Sequence, residues 1–403
     1  MNQRDMRPPF AALGGTIPPE LEKLPTPCYL LDEAALTRNA EILGGLAQRT
    51  GCKVLLAQKA FSNYDCYPLL APHLAGTEAS GLFEARLGAE EMPGKEVHVF
   101  CAAYRADEMD ELVQYADHIV FNSPAQLAKF GLAAKAAGKS VGLRINPECS
   151  TQDGHAIYDP CAPGSRLGTT RAQWNAAVAA NPALPNLLDG LHFHTLCEQD
   201  SDALAMTLDA VAQKFGDLLP RMQWLNFGGG HHITRPGYDI ATLERCITRA
   251  QQDWGVTVYL EPGEACALNA GFLLSRVLDV VQNGDTTIAI LDASAACHMP
   301  DVIEMPYRPP LFAAAEPGEK PCTVRLAGPT CLAGDVIGDY GVDAVPNVGD
   351  LLVFGDMAIY TTCKNNTFNG MPLPAIFARA ASGTTRSIVS FGYEDFKYRL
   401  GKR

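Results

Sequence analysis

The sequence predicts an α/β fold in which a (β/α)8 TIM barrel is joined to a second, mostly antiparallel β domain of sandwich or barrel type. Three observations predict it. Apolar runs of strand length recur eight times between residues 53 and 260, amphipathic stretches separate most of them, and this alternation stops near residue 271. Strands alternating with helical stretches point to parallel βα units, and eight of them suffice to close a barrel. Beyond 271 short apolar runs follow one another with only turn residues between, which points to antiparallel pairing. A length of 403 residues fits one large and one smaller domain.

Taken in order, residues 1–25 are rich in Pro and Gly and read as an irregular arm. CYLLD (28–32) has strand character and precedes the barrel, so it is expected to join the β domain. A helix follows from Glu33 to about Gln48. The barrel strands are KVLLAQ (53–58), GTEAS (76–80), VHVF (97–100), HIVF (118–121), VGLRIN (141–146), LDGLHFH (188–194), QWLNF (223–227) and VTVYL (256–260). Helical stretches such as SPAQLAKFGLAAKAAG (123–138) and SDALAMTLDAVAQKF (201–215) lie between them. GTEAS is the least apolar of the eight. GFLLSRVLDVVQNG, TTIAILD, TVRLAG, DLLVFGD and PAIFARA are the strands of the last region. The expected division is therefore 1–32, 33–270 and 271–403.

The balance of 32 Lys+Arg against 45 Asp+Glu gives a net charge of −13. It argues against nucleic acid or an anionic membrane surface as partner and suits a cationic substrate. The 13 cysteines are an odd number and form no C-x-x-C pair. MNQRDMRPPF lacks the apolar core of a signal peptide, and no apolar run nears the ~18 residues that span a bilayer. Free thiols in a reducing cytoplasm are the expectation.

Working residues of such barrels sit where strands end. Lys59 follows the first strand, Arg144 and Asn146 end the fifth, and His192 and His194 end the sixth. Gly228-Gly229-Gly230 follows the seventh, and Glu261-Pro262-Gly263-Glu264 the eighth. Each element alone also has a structural meaning: a solvated lysine, a core histidine, a turn. Together they form a set. Barrel phosphate sites use the loops after strands seven and eight, and glycines let backbone N–H groups approach phosphate oxygens. A lysine, a phosphate loop and an acid in one barrel mouth are what pyridoxal phosphate requires. The rival chemistry is a metal-dependent barrel hydrolase. It would use His192 and His194, two apart on a strand and so on one face, with His231 and His232. That chemistry leaves Lys59 and the glycines without a task.

Eight motifs carry a family resemblance. They are AQKA around Lys59, RINP (144–147), SRLG (165–168), GLHFH (190–194), NFGGG (226–230), EPGE (261–264), GPTCLAGD (328–335) and GDMAIYTT (355–362). In this order, from about Pro25 to the C-terminus, the chain resembles the fold-type III pyridoxal-phosphate decarboxylases. These are the alanine-racemase-like group that includes ornithine, arginine and diaminopimelate decarboxylases. CHMPDVIEMPYRP (297–309), GGGHHIT (228–234) and KNNTFNG (364–370) resemble the carboxynorspermidine/carboxyspermidine branch.

The resemblance implies loss of the α-carboxylate of a small cationic polyamine precursor, giving norspermidine or spermidine and carbon dioxide. It implies a head-to-tail homodimer with shared sites. Lys59 is similar to the lysine that carries the cofactor. His192 would stack on the pyridine ring, and Glu261 would bond its nitrogen. Gly229 and Gly230 would hold the phosphate with Tyr360 and Ser165. Cys331, the proton donor to the α-carbon, and Asp335 would reach in from the neighbouring subunit. Two positions depart from the pattern. Glu264 stands where ornithine and diaminopimelate decarboxylases carry Arg, and Leu332 where ornithine decarboxylase carries Asp. The first favours a substrate with an extra amine. The second moves the distal-amine contact to Asp301 and Glu304. Decarboxylation of ornithine or diaminopimelate, racemisation, and a non-catalytic relative that binds the cofactor are the competing readings.

Overall fold

The computed structural model describes residues 10, 13, 15–152 and 159–402. Two compact units divide the chain. One comprises Arg38–Lys59 and Cys66–Cys266, the other the residues up to Thr37, Ala60–Asp65 and the residues from Ala267 onward.

The strands, in chain order, open with β1 (Cys28–Asp32). The barrel unit then holds β2 (Lys53–Ala57), β3 (Gly76–Ala79), β4 (Glu96–Cys101), β5 (His118–Phe121), β6 (Ser140–Arg144), β7 (Gly190–His192), β8 (Trp224–Asn226) and β9 (Thr257–Leu260). They form a closed barrel in sequence order, and β9 returns to β2 through Tyr259 opposite Lys53 and Leu260 opposite Val54. All eight expected strands are present, GTEAS among them as β3. Burial on both faces explains why most read as continuous apolar runs. The helices between start at side-chain caps. Ser123 accepts the Gln126 N–H ahead of Pro124–Ala136, Thr170 forms a capping box ahead of Arg171–Ala180, and Asp239 accepts the Thr242 N–H ahead of Ile240–Trp254.

The N-terminal strand ends are plugged by Trp224. A Cβ on Gly190 would lie 2.0 Å from the Trp224 ring, and one on Gly142 2.3 Å from it, so only glycine admits the indole there. His98 and His118 stack beside it with ring centroids 3.9 Å apart. This end of the barrel is packed and is a stability feature.

The second unit is a mixed sheet of β10 (Gly271–Asn283), β11 (Thr286–Leu291), β12 (Cys322–Ala327), β13 (Val336–Val342), β14 (Leu351–Gly355), β15 (Ala375–Arg379), β16 (Thr385–Val389) and β1. Its order is β13-β12-β11-β10-β1-β15-β16, with β14 also on β10. Pairing is antiparallel except β1 with β15 and β11 with β12. The first half of β10 pairs with β1 and β14 and is buried, while its second half pairs with β11 and is largely exposed. The buried half supplies Phe272 and Leu274 to a core with Cys28, Leu30, Leu351 and Val353. All 13 cysteines are free thiols. Among the described residues no helix is long and apolar enough to cross a membrane.

Candidate active site

Lys59 lies two residues beyond β2. Parallel register sets Ala57 beside Glu78 of β3, and the Gln58 N–H donates to the Glu78 carbonyl at 3.0 Å. The result is an ion pair, Lys59 Nζ to Glu78 Oε2, at 2.9 Å. Lys59 keeps 34% of its side chain exposed while Glu78 keeps 2%. Burial alone would lower the lysine's pKa. The carboxylates of Glu78 and Glu261 outweigh it and raise the pKa, holding Lys59 as an ammonium. Burial pushes the Glu78 carboxyl up to about 7, with the Glu261 charge adding to the rise and Lys59 opposing it. Two acids around one ammonium thus separate into an early and a late titrating group.

Glu261 is the early one. It follows β9, and register aligns the ends of β7, β8 and β9, so that His192 and Asn226 are its neighbours. His192 Nε2 donates to Glu261 Oε2 at 3.0 Å, and Asn226 Nδ2 to Oε1 at 2.6 Å. Burial would raise this carboxyl. The bonded His192 and the Lys59 charge overturn that and hold it well below the usual carboxylate range. Burial lowers the pKa of His192, so the neutral ring is the donor.

His192, expected to stack on a cofactor ring, already has one ring partner within the barrel. His192 is fully buried and stacks on Phe100 with centroids 5.4 Å apart. Arg144 also meets Phe100, its guanidinium 4.5 Å from the ring centre, and donates to the His194 carbonyl at 3.0 Å. His194 is partly exposed, and its pKa is driven well down by burial and then by the Lys59 charge. β7 ends at His192, so His194 lies past the strand, where alternation no longer fixes which way it points.

The glycine loop packs against both groups. The Gly228 N–H donates to Asn226 Oδ1 at 2.9 Å, and the Glu261 N–H donates to the Gly228 carbonyl at 2.8 Å. Gly230 has φ +81°, and a Cβ there would sit 2.0 Å from the Leu196 carbonyl oxygen. A Cβ on Gly229 would sit 2.6 Å from the Glu261 carbonyl oxygen and 3.3 Å from the His194 ring. The N–H groups of Gly229 and Gly230 have no protein acceptor among the described residues. Two unspent backbone donors on a loop packed too closely for any Cβ fit a phosphate, and Lys59 with an ionised Glu261 fits the rest of pyridoxal phosphate.

Three acids are already engaged. Glu264 accepts from His232 Nε2 at 3.0 Å in the barrel unit. In the sheet unit Lys364 bonds both Asp301 and Glu304. Asp335, expected to reach in from a neighbouring subunit, is held by bonds within its own chain. It is 3% exposed and accepts from Ser294 Oγ, the Ala295 N–H and Thr330 Oγ1 at 2.9, 2.8 and 2.6 Å, so it ties the 328–335 loop to the helical turn at Ala295–His298. Ser165 accepts the Leu167 N–H within its own loop. Tyr360 has φ +56° and donates its N–H to the Ala60 carbonyl at 2.8 Å. Cys331 is exposed, and its N–H donates to Asn369 Oδ1 at 2.9 Å. Glu78 and Asn226 are members of the barrel cluster that sequence reasoning missed, and Lys364 is the partner of Asp301 and Glu304 that it missed in the sheet unit.

The four histidines of the metal alternative do not gather into a ligand set among the described residues. The group that does, Glu96, His98 and His118, lies at the plugged end. There Glu96 already pairs with Lys53, and the two rings are 14° from parallel, so their lone pairs do not converge.

A family model described as pyridoxal-dependent decarboxylase, C-terminal sheet domain, matches residues 28–358. A carboxyaminopropylagmatine decarboxylase of Synechocystis sp. is 44% identical over 384 residues, 95% of this chain and 97% of the relative. A carboxynorspermidine/carboxyspermidine decarboxylase of Campylobacter jejuni is 40% identical over 389 residues, 94% of this chain and 99% of the relative. A crystal structure of carboxynorspermidine decarboxylase complexed with norspermidine, also from Campylobacter jejuni, superposes with TM-score 0.84 at 38% identity, covering 93% of this chain and all of that one. With sequence, fold and the lysine–acid–glycine geometry in accord over nearly the whole length, this chain belongs to the pyridoxal-dependent decarboxylases.

Proposed function

We propose that this chain decarboxylates carboxynorspermidine and carboxyspermidine, using pyridoxal phosphate carried on Lys59, in polyamine biosynthesis. The observation that carries the proposal is the pairing of Lys59 with Glu78 beside an ionised Glu261. When bound, the cofactor supplies an electron sink for the bond that breaks. The chain's residues do the remaining work. Lys59 is the point of attachment. Glu261, fixed by His192 and Asn226 yet with lone pairs to spare, keeps a proton on the pyridine nitrogen. Gly229 and Gly230 direct N–H groups at the phosphate, with Tyr360 as a further contact. His194 takes the ring-covering role first given to His192. Cys331, exposed on the sheet unit, donates a proton to the α-carbon from the neighbouring subunit of a cytoplasmic head-to-tail homodimer. Glu264, Asp301 and Glu304 answer the amines of the substrate, since a buried ammonium without a partner is costly.

The Synechocystis relative, at 44% identity, favours a second reading in which the substrate is carboxyaminopropylagmatine, whose far end is a guanidine and not an amine. A decarboxylation panel separates the two. The cofactor-loaded protein is given carboxynorspermidine, carboxyspermidine, carboxyaminopropylagmatine, ornithine and diaminopimelate. The proposal expects the first two to have the highest kcat/KM. Preference for the agmatine derivative would establish the second reading, and preference for ornithine or diaminopimelate would refute both.

A further inference from the structure

We propose that Lys364 tunes substrate preference by occupying, as an exchangeable internal ammonium, the acid pair that receives the far cation of the substrate. The inference rests on the functional reading above. Asp301 and Glu304 begin and end one helical turn, an i,i+3 spacing that sets both carboxylates on one side. Lys364 Nζ bonds Asp301 Oδ1, lies 2.7 Å from Glu304 Oε2 and sits 5.5 Å over the Tyr360 ring. The segment that carries the lysine is pinned in place. The Asn366 N–H donates to the Cys297 carbonyl at 3.0 Å, and Asn366 Nδ2 donates to the Ala296 carbonyl at 2.8 Å.

Two carboxylates and an aromatic face are the chemistry that binds an alkylammonium. The lysine head is the same primary ammonium that ends a polyamine. The side chains of Lys364, Asp301 and Glu304 are 34%, 17% and 56% exposed, so water reaches the lysine head and its arm to Glu304 is weak, which leaves the ammonium open to exchange. On the functional reading above, the substrate's far ammonium and the Lys364 head compete for the same carboxylate oxygens, so removing the lysine head removes the competitor. A merely structural tie would behave otherwise, because removing it would leave two acids facing each other without improving substrate binding.

The test is steady-state kinetics on the cofactor-loaded full chain. Lys364→Met should lower KM for carboxynorspermidine about two- to fivefold, the span of a partly exposed ion pair, with little change in kcat. KM for ornithine, which has no cation beyond its single side-chain amine, should not fall. Lys364→Arg should keep the parent KM, and Asp301→Asn should raise KM and abolish the gain from Lys364→Met. Lys364→Gln, with norspermidine binding by calorimetry, covers loss of stability in the methionine variant, and tighter binding is expected. An unchanged or higher KM in a stably folded Lys364→Met protein would overturn this inference alone. Absence of turnover of every carboxylated polyamine by the parent protein would overturn the functional reading and this inference with it.

Discussion

Lys59 Nζ lies 2.9 Å from Glu78 Oε2, a contact set by the register of strands β2 and β3, which places Ala57 beside Glu78. It keeps the lysine charged and fixes where its nitrogen points. Preorganisation of this kind is what the fold contributes to a cofactor enzyme.

Glu78→Gln should lower kcat/KM about 10²-fold, because the lysine loses both its charge partner and its position. Glu78→Asp should retain more activity. The carboxyl also has a signature in stability. Its folded pKa of about 7 exceeds the ordinary 4.5, so the stability it contributes is full below pH 4.5 and is lost as pH rises through 7. Melting curves of the cofactor-free protein between pH 4.5 and 7.5 should therefore fall less steeply for Glu78→Gln than for the parent.

The two histidines after β7 should separate by role. His194→Ala should weaken cofactor binding about two- to tenfold, the worth of a lost ring contact, with little effect on melting. His192→Ala should cost about 1–3 kcal/mol of stability, because Glu261 loses a buried partner. Cofactor titration and thermal melts of both variants check this, and the reverse pattern would restore His192 to the ring-covering role.

His298 predicts an acid-side loss. Its Nδ1 accepts the Ser294 N–H at 3.2 Å and its Nε2 donates to the Pro372 carbonyl at 3.0 Å, so both nitrogens are satisfied only in the neutral ring. Burial lowers its pKa to about 4, against 6.5 when exposed. Its contribution is therefore full above pH 6.5 and is lost as pH falls through 4. His298→Asn should be destabilised by about 1–3 kcal/mol at pH 7.5, with a smaller deficit at pH 4.5 in denaturant titrations.

A shared site predicts complementation. Lys59→Ala and Cys331→Ala proteins, each inactive, should regain up to about a quarter of the parent activity after subunit exchange, since a mixed dimer assembles one intact site. Failure after exchange is verified would place Cys331 and Lys59 in the same chain's site.

The barrel was legible because strands buried on both faces become uninterrupted apolar runs. β13 was not, because Gly338, Asp339 and Gly341 break its apolar character, and the polar TRSIV of β16 hid that strand likewise. Lys59, the glycines and Glu261 stood out because they follow strands. Glu78 did not. GTEAS is weakly apolar, and an acid within it gains meaning only once register sets it beside Lys59. The bonding of Asp335 was hidden for a related reason: its donors come from residues 294–296 and 330, and no spacing rule links them. His192 and His194 share a face only if both lie on a strand, and β7 ends between them.

The most direct test of the cofactor assignment is chemical trapping. The cofactor-loaded protein is reduced with borohydride, digested and analysed by mass spectrometry, with Lys59→Ala treated in parallel. A pyridoxyl adduct on the peptide that contains Lys59, absent from the variant together with activity, is the predicted result. An adduct on another lysine, or full activity in Lys59→Ala, would contradict the account.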